Sequence, residues 1–133
     1  MNRTLLVHHL VHLFSERTIP LYCGDKHYIQ SINTLPAAWL CTPRLIEVEG
    51  RKRGRATYSV ELHLLESGAK LTLNERETKL DEMESLIIEL FTQLSDSENI
   101  ISVENLKLQP SLFRLSNRGE ISITATCEVI TNF

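Results

Sequence analysis

Four basic residues lie close together near the middle of the chain, and they are the polar side chains best suited to binding chemistry. Arg51, Lys52, Arg53 and Arg55 occur with two glycines, which favour a turn. Four cations at the end of a hairpin can bind phosphate groups or an acidic patch of another subunit. Alternatively, they belong to a soluble loop whose charges keep an edge hairpin from aggregating. No aromatic cluster accompanies them, so stacking on single-stranded nucleic acid is disfavoured.

Two histidines of the first apolar segment have the spacing of metal ligands. His8 and His12 are one helical turn apart, so both rings can reach the same ion. Zinc requires at least a third protein ligand, for which Cys23 or His27 can be proposed, but no spacing demands either. A helical pair of histidines without the rest of a motif is usually a solvated face. We therefore predict no metal site and no cofactor.

The sequence contains no pattern typical of a catalytic site. A nucleophile elbow, a phosphate-binding glycine loop and a dinucleotide fingerprint are all absent. Cys23 and Cys41 have no adjacent histidine, and Cys127 lies on the apolar face of a strand pattern, as a buried small hydrophobe would. The carboxylates between residues 75 and 89 are spaced like a solvated helix face. We predict that the protein is not an enzyme.

Length, charge and cysteine content restrict the class of protein further. A chain of 133 residues is predicted to form one domain, residues 1–133, with a core that needs no disulfides. The net charge of −3 argues against a duplex-DNA binder held by a general positive field. Three widely spaced cysteines fit a reducing compartment. No segment is apolar for long enough to cross a membrane, so we expect a cytoplasmic protein or a particle assembled in cytoplasm.

Two segments of the chain have the apolar periodicity of helices. Residues 77–94 have the stronger pattern, and residues 3–16 form a second, broader one. The stripe of the stronger helix faces the core and consists of Leu80, Met83, Ile87, Leu90, Phe91 and Leu94.

Alternating patterns predict the strands that these helices cover. Residues 35–48, interrupted by Pro43, and residues 57–65 form a long hairpin with the basic segment at its tip. A short strand begins near residue 100, and residues 120–131 form the clearest strand. The predicted order is α-β-β-α-β-β. The expected fold class is α+β: one antiparallel β-sheet with a long β-hairpin, flanked by two α-helices.

This arrangement resembles the tail terminator (tail completion) family of tailed bacteriophages. The resemblance is one of pattern over most of the chain. It rests on the first helix, the Leu35-Pro36 lead into a strand, the hairpin of residues 37–65, the helix of residues 77–94 and the strand of residues 119–131.

The resemblance implies a structural virion protein that assembles in the bacterial cytoplasm as a homo-oligomeric ring, expected to be a hexamer. Such a ring caps the tail tube, with the tail tube protein on one side and a neck or head-completion protein on the other. Basic residues on its inward loops face passing phage DNA, and Arg51, Lys52, Arg53 and Arg55 are the corresponding positions here.

Excess apolar surface independently suits an oligomer. Leu86 and Ile88 lie outside the core stripe of the second helix, and Val7 and Val11 widen the apolar face of the first. Such residues often mark an interface, although a monomer with a wrapped sheet can bury them equally. The alternatives are another head–tail joining protein, or a small cytoplasmic module that binds nucleic acid or a phosphorylated ligand through residues 50–55.

Overall fold

The computed structural model describes residues 1–50, 54–110 and 119–132. Two α-helices, a 3₁₀ helix and six strands make up this part of the chain. In chain order these are α1 (Arg3–Ser15), β1 (Leu21–Gly24), the 3₁₀ helix (Lys26–Ser31), β2 (Ala37–Cys41), β3 (Arg44–Glu49), β4 (Arg55–Ser67), α2 (Leu73–Ser95), β5 (Ile100–Pro110) and β6 (Glu120–Asn132). Neither α-helix of the described residues is long and apolar enough to cross a membrane.

The six strands form one mixed sheet around β4. Its order is β1-β2-β4-β6-β5, and β3 also pairs with β4. On one side, β4 pairs antiparallel with β6 along its whole length. On its other side, β2 pairs with the second half of β4 and β3 with the first half. The edges are therefore formed by β1, β3 and β5, with β5 on the side opposite to β1 and β3.

Both α-helices pack on one face of this sheet. Asn2 caps α1 by accepting a hydrogen bond from the backbone N–H of Leu5, and Leu6, Leu10 and Phe14 are buried. Arg17, just after α1, joins the two helices by donating from Nη2 to the side-chain oxygen of Gln93 at 2.8 Å. The helices thus form a continuous layer over the sheet.

The start of α2 differs from the prediction. The helix begins at Leu73, four residues before position 77, because Thr72 and Glu75 form a reciprocal capping box. The predicted stripe is confirmed: Met83, Ile87, Leu90, Phe91 and Leu94 are buried, and Leu80 is half-buried against the same core.

Alternate residues of the central strands complete the core beneath the helices. Val60, Leu62 and Leu64 of β4 and Ile123 and Val129 of β6 are buried there. On the opposite face, a smaller cluster lies under the 3₁₀ helix. It consists of Ile29, Ile32, Ala37, Trp39 and Leu65, with Leu35 and Cys41 packed against it. Beside this cluster, Glu61 and His63 of β4 and Thr124 and Thr126 of β6 occupy the same face of the described sheet.

The α+β class is confirmed, but the predicted element order and the fully antiparallel sheet are wrong. The observed order is α-β-β-β-β-α-β-β, and the short strand β1 pairs parallel with β2. The predicted first hairpin strand is two strands, β2 and β3. Buried Pro43 separates them, since proline has no backbone N–H to donate to a ladder.

Candidate functional site

Most of the predicted basic site lies outside the described residues. This applies to Arg51, Lys52 and Arg53. Arg55 is the first residue of β4, is exposed, and lies opposite Glu49 of β3 and Asn132 of β6. Within the described chain, the basic charge at this end of the sheet therefore has an acidic residue on the neighbouring strand.

Strand β3, which leads to that basic segment, is exposed along its whole length. It includes three large apolar residues, Leu45, Ile46 and Val48, and Val48 is 54% exposed. One side of β3 pairs with β4, and no other described strand pairs with it. Unpaired backbone groups beside exposed apolar side chains make a strand edge competent for pairing with another chain.

The predicted interface residues divide into two pairs. Ile88 on α2 is 51% exposed and Val11 on α1 is exposed, whereas Leu86 and Val7 are half-buried and pack against the core. Leu86 and Val7 therefore offer less free surface than the sequence pattern suggests. Ile88 borders a shallow groove of about 140 Å³ between α2 and β5, which is also lined by Val103 and Leu106.

The histidines of α1 lie on its outer surface. His12 Nε2 is 3.1 Å from Glu16 Oε1, one turn further along the helix. His8 and His12 are both exposed. Among the described residues, neither belongs to a group of three metal-ligating side chains. The third ligand that zinc requires is therefore not found beside them in this part of the chain.

A partly buried polar cluster lies on the other face of the sheet, where β2 adjoins β4. Glu61 Oε2 is 2.8 Å from His63 Nε2, and it accepts a hydrogen bond from Cys41 Sγ at 3.3 Å. His63 Nδ1 is 3.0 Å from the hydroxyl oxygen of Thr124 on β6. His63 is 1% exposed, so its ring is enclosed although the surrounding face is polar.

The protonation of the cluster follows from burial and from these hydrogen bonds. Burial lowers the pKa of His63, although its contact with Glu61 acts in the opposite direction. Burial alone would raise the pKa of Glu61, but hydrogen bonds from His63 and Cys41 outweigh it, so the pKa is lowered. Burial and the bond to Glu61 raise the pKa of Cys41 to about 12. At neutral pH the cluster is one carboxylate between a neutral ring and a protonated thiol.

The sequence alone does not reveal this cluster. Cys41 has no adjacent histidine in the sequence, and the alternating pattern of residues 57–65 predicts a strand without distinguishing Glu61 or His63 as ligands. The available signal was their spacing: residues two apart on a strand share a face. What brings Cys41 beside them is the register of β2 against β4, in which Leu40 lies opposite Leu62.

Comparison of the sequence with models of protein families finds no match, and comparison with curated proteins finds none either. Two features of the described residues therefore carry the functional argument. One is the exposed apolar edge at β3, which is suited to association. The other is the Cys41–Glu61–His63 cluster, which is a set of potential ligands.

Proposed function

We propose that this protein is a structural, ring-forming protein of the tail terminator type, which caps the tail tube of a tailed bacteriophage and joins it to the neck. The observation that carries the proposal is the exposed apolar strand β3 at one edge of the sheet. An exposed strand of this kind promotes aggregation in a monomer, whereas in an assembly it can pair with a neighbouring subunit. The resemblance in element pattern indicates that this assembly is a tail terminator ring.

A ring requires two different surfaces on each copy, one to give and one to receive. Strand β3 provides the first. At the opposite edge, the exposed residues Ile88 and Ile101 flank the region where α2 meets β5. Apolar patches at opposite edges favour head-to-tail association, which closes into a ring when the rotation between neighbours permits. Ring closure through these edges leaves the other surfaces of each subunit for the tail tube protein and the neck protein.

The resemblance to the tail terminator family, not the described structure, assigns a role to the basic residues. It implies that Arg51, Lys52, Arg53 and Arg55 face the lumen of the ring, close to transiting DNA. Local positive charge is sufficient for such a contact, so the net charge of −3 is compatible with it. No catalytic step is required of any residue.

The first test is the mass of the protein in solution, measured by light scattering during size-exclusion chromatography and followed by negative-stain imaging. We expect a closed ring, hexameric if the family pattern holds. Val48→Glu and Ile88→Glu should each reduce it to subunits with an unchanged circular dichroism spectrum, because a charge cannot be buried in an apolar contact without a large cost.

Leu73→Glu is the matched control for both variants. Leu73 is 78% exposed at the first position of α2, away from both proposed edges, so its substitution should leave the ring intact. A wild-type monomer at the highest attainable concentration, or equal effects of all three substitutions, would contradict the proposal. A monomer whose nucleic-acid affinity falls steeply with salt and is lost when Arg51, Lys52, Arg53 and Arg55 become alanine would instead favour the binding-module alternative.

A further inference from the structure

Three side chains with metal-ligating atoms converge on the polar face of the sheet. The ligating atoms of Cys41, Glu61 and His63 all lie within 4.8 Å of one another. We propose that these three residues bind a zinc ion through Sγ, Oε2 and Nε2, with a water molecule in the fourth position. Sulfur, carboxylate oxygen and imidazole nitrogen are the ligand types that zinc takes in proteins, and three protein ligands plus water is one of its recurrent arrangements.

Two of the three separations between the ligand atoms are close to those of a tetrahedral site, and the third, between Cys41 Sγ and His63 Nε2, is within 4.8 Å. Zinc bonds of about 2.0–2.3 Å place neighbouring ligand atoms roughly 3.3–3.7 Å apart. The present separations from Glu61 Oε2 are 2.8 Å to His63 Nε2 and 3.3 Å to Cys41 Sγ. A shift of the glutamate carboxylate by about half an ångström would bring both separations from Glu61 Oε2 into this range. Glu61 is half-buried and can make this shift by rotating its side chain.

Zinc would replace protons that now hold the three groups together. Cys41 loses its thiol proton to solvent as the sulfur–zinc bond forms. His63 loses to solvent the Nε2 proton that it now donates to Glu61 and takes one up at Nδ1, so the ring stays neutral and binds through the Nε2 lone pair. The ring then donates to Thr124 Oγ1, at the present separation of 3.0 Å. One thiolate and one carboxylate balance the two positive charges of the ion, so binding releases one proton and leaves a neutral site.

The surrounding strands hold the ligands in place. Two of the three come from β4, the central strand, and the third comes from its hydrogen-bonded neighbour β2. Trp39, directly opposite His63, is itself buried and fixed by a hydrogen bond from its indole N–H to the carbonyl of Gly24. Ligands on rigid strands with a supporting hydrogen bond at the histidine are the features of a preorganised metal site.

One cation now competes for the carboxylate. Lys26 Nζ lies 3.7 Å from Glu61 Oε2, but its side chain is more than half exposed. The ammonium group can move into solvent when zinc binds, at little cost, because exposed ion pairs contribute little free energy.

The test uses the full chain, freed of metal with a chelator and then titrated separately with Zn²⁺ and Co²⁺. Calorimetry should give one zinc ion per chain and, across buffers of different ionisation enthalpy, the release of one proton. Cobalt should give the visible bands of a tetrahedral ion and a thiolate-to-cobalt charge-transfer band.

Cys41→Ser should remove the charge-transfer band, and Glu61→Gln should weaken zinc binding at least tenfold. Thr124→Val should weaken it by roughly 10- to 100-fold, because it removes the group that orients His63.

Cys23→Ser and His27→Asn are the matched controls, since both residues are exposed nearby and neither belongs to the cluster. Both should retain the wild-type signals.

His63→Gln is informative only if its circular dichroism spectrum is native, because His63 is buried. Cys41 and Glu61 are half-buried, so their variants test the site even if His63→Gln does not fold. Failure of the wild-type chain to bind one ion saturably, or a charge-transfer band that survives Cys41→Ser, would overturn the proposal. The oligomeric state does not enter these readouts, so the zinc site and the ring stand or fall separately.

Discussion

The two faces of the sheet use the same strands for different purposes. On β4, Val60, Leu62 and Leu64 point into the core under the helices, while Glu61 and His63, between them, form a polar cluster on the other side. The period of two along a strand lets one segment serve both faces independently. We therefore expect substitutions on the helix-covered face to affect folding most, and substitutions of Glu61 and His63 to affect metal binding.

Truncation under the helices should have the largest effect on stability. Phe91→Ala removes a buried ring from α2, and we expect it to lower the free energy of unfolding by about 3–5 kcal/mol through lost burial and a residual cavity. Urea denaturation followed by circular dichroism measures this change. Thr126→Ala on the polar face is the comparison and should change the free energy by less than about 0.5 kcal/mol. Equal losses from the two substitutions would show that the faces are not energetically distinct.

A polar residue within the covered face should have an intermediate effect. Thr131 is fully buried beside the core, and its hydroxyl donates to the carbonyl of Ala56 at 3.0 Å. Thr131→Val preserves the shape but removes this bond, so we expect a loss of about 0.5–1.5 kcal/mol in the same denaturation experiment. A stabilised variant would mean that the hydrogen bond does not repay the burial of the hydroxyl.

The reactivity of the cysteine thiols compares the two faces of the sheet without any substitution. Burial raises the pKa of Cys127, under the helices, to about 12, and Cys41 on the polar face reaches about 12 through burial and its bond to Glu61. In chelator at pH 8, we expect a thiol reagent to modify Cys23 first, because it is exposed. Cys41 should react slowly, because it is half-buried and its raised pKa leaves only a small fraction as the reactive thiolate. Cys127 should react only when the fold opens. Mass spectrometry of peptides measures the order, and early modification of Cys127 would contradict the packing of β6 under the helices.

The sequence predicted best those elements whose signal is local. The stripe of α2 and the alternation of β6 each depend on neighbouring positions of one segment, and both are present in the structure. The capping box of Thr72 and Glu75 is also a local signal, but it precedes the apolar stripe, which begins at Leu80. The stripe alone therefore places the start of α2 too late in the chain.

The remaining features depend on which strands become neighbours. Strand β1 has only four residues, and its parallel pairing with β2 spans the intervening 3₁₀ helix, so no periodicity within it could predict a strand. The Cys41–Glu61–His63 cluster likewise requires the register of β2 on β4. A one-residue change of register would place Cys41 on the other face. Strand partners and register depend on the packing of the whole sheet, so the pattern of a single segment does not predict them.

The pairing of β4 with β6 has a consequence for the time at which this chain acquires its shape. This ladder joins the central strand β4 to β6, the last strand of the described chain, and α2 and β5 lie between them in the sequence. Contacts between such distant segments form slowly, because a long loop must close before they contribute. On the ribosome, β3 and β4 emerge well before β6, and β4 then lacks its longest partner. The complete sheet can form only once β6 has left the ribosome. The edge strand β3 therefore becomes part of a folded sheet only after that point.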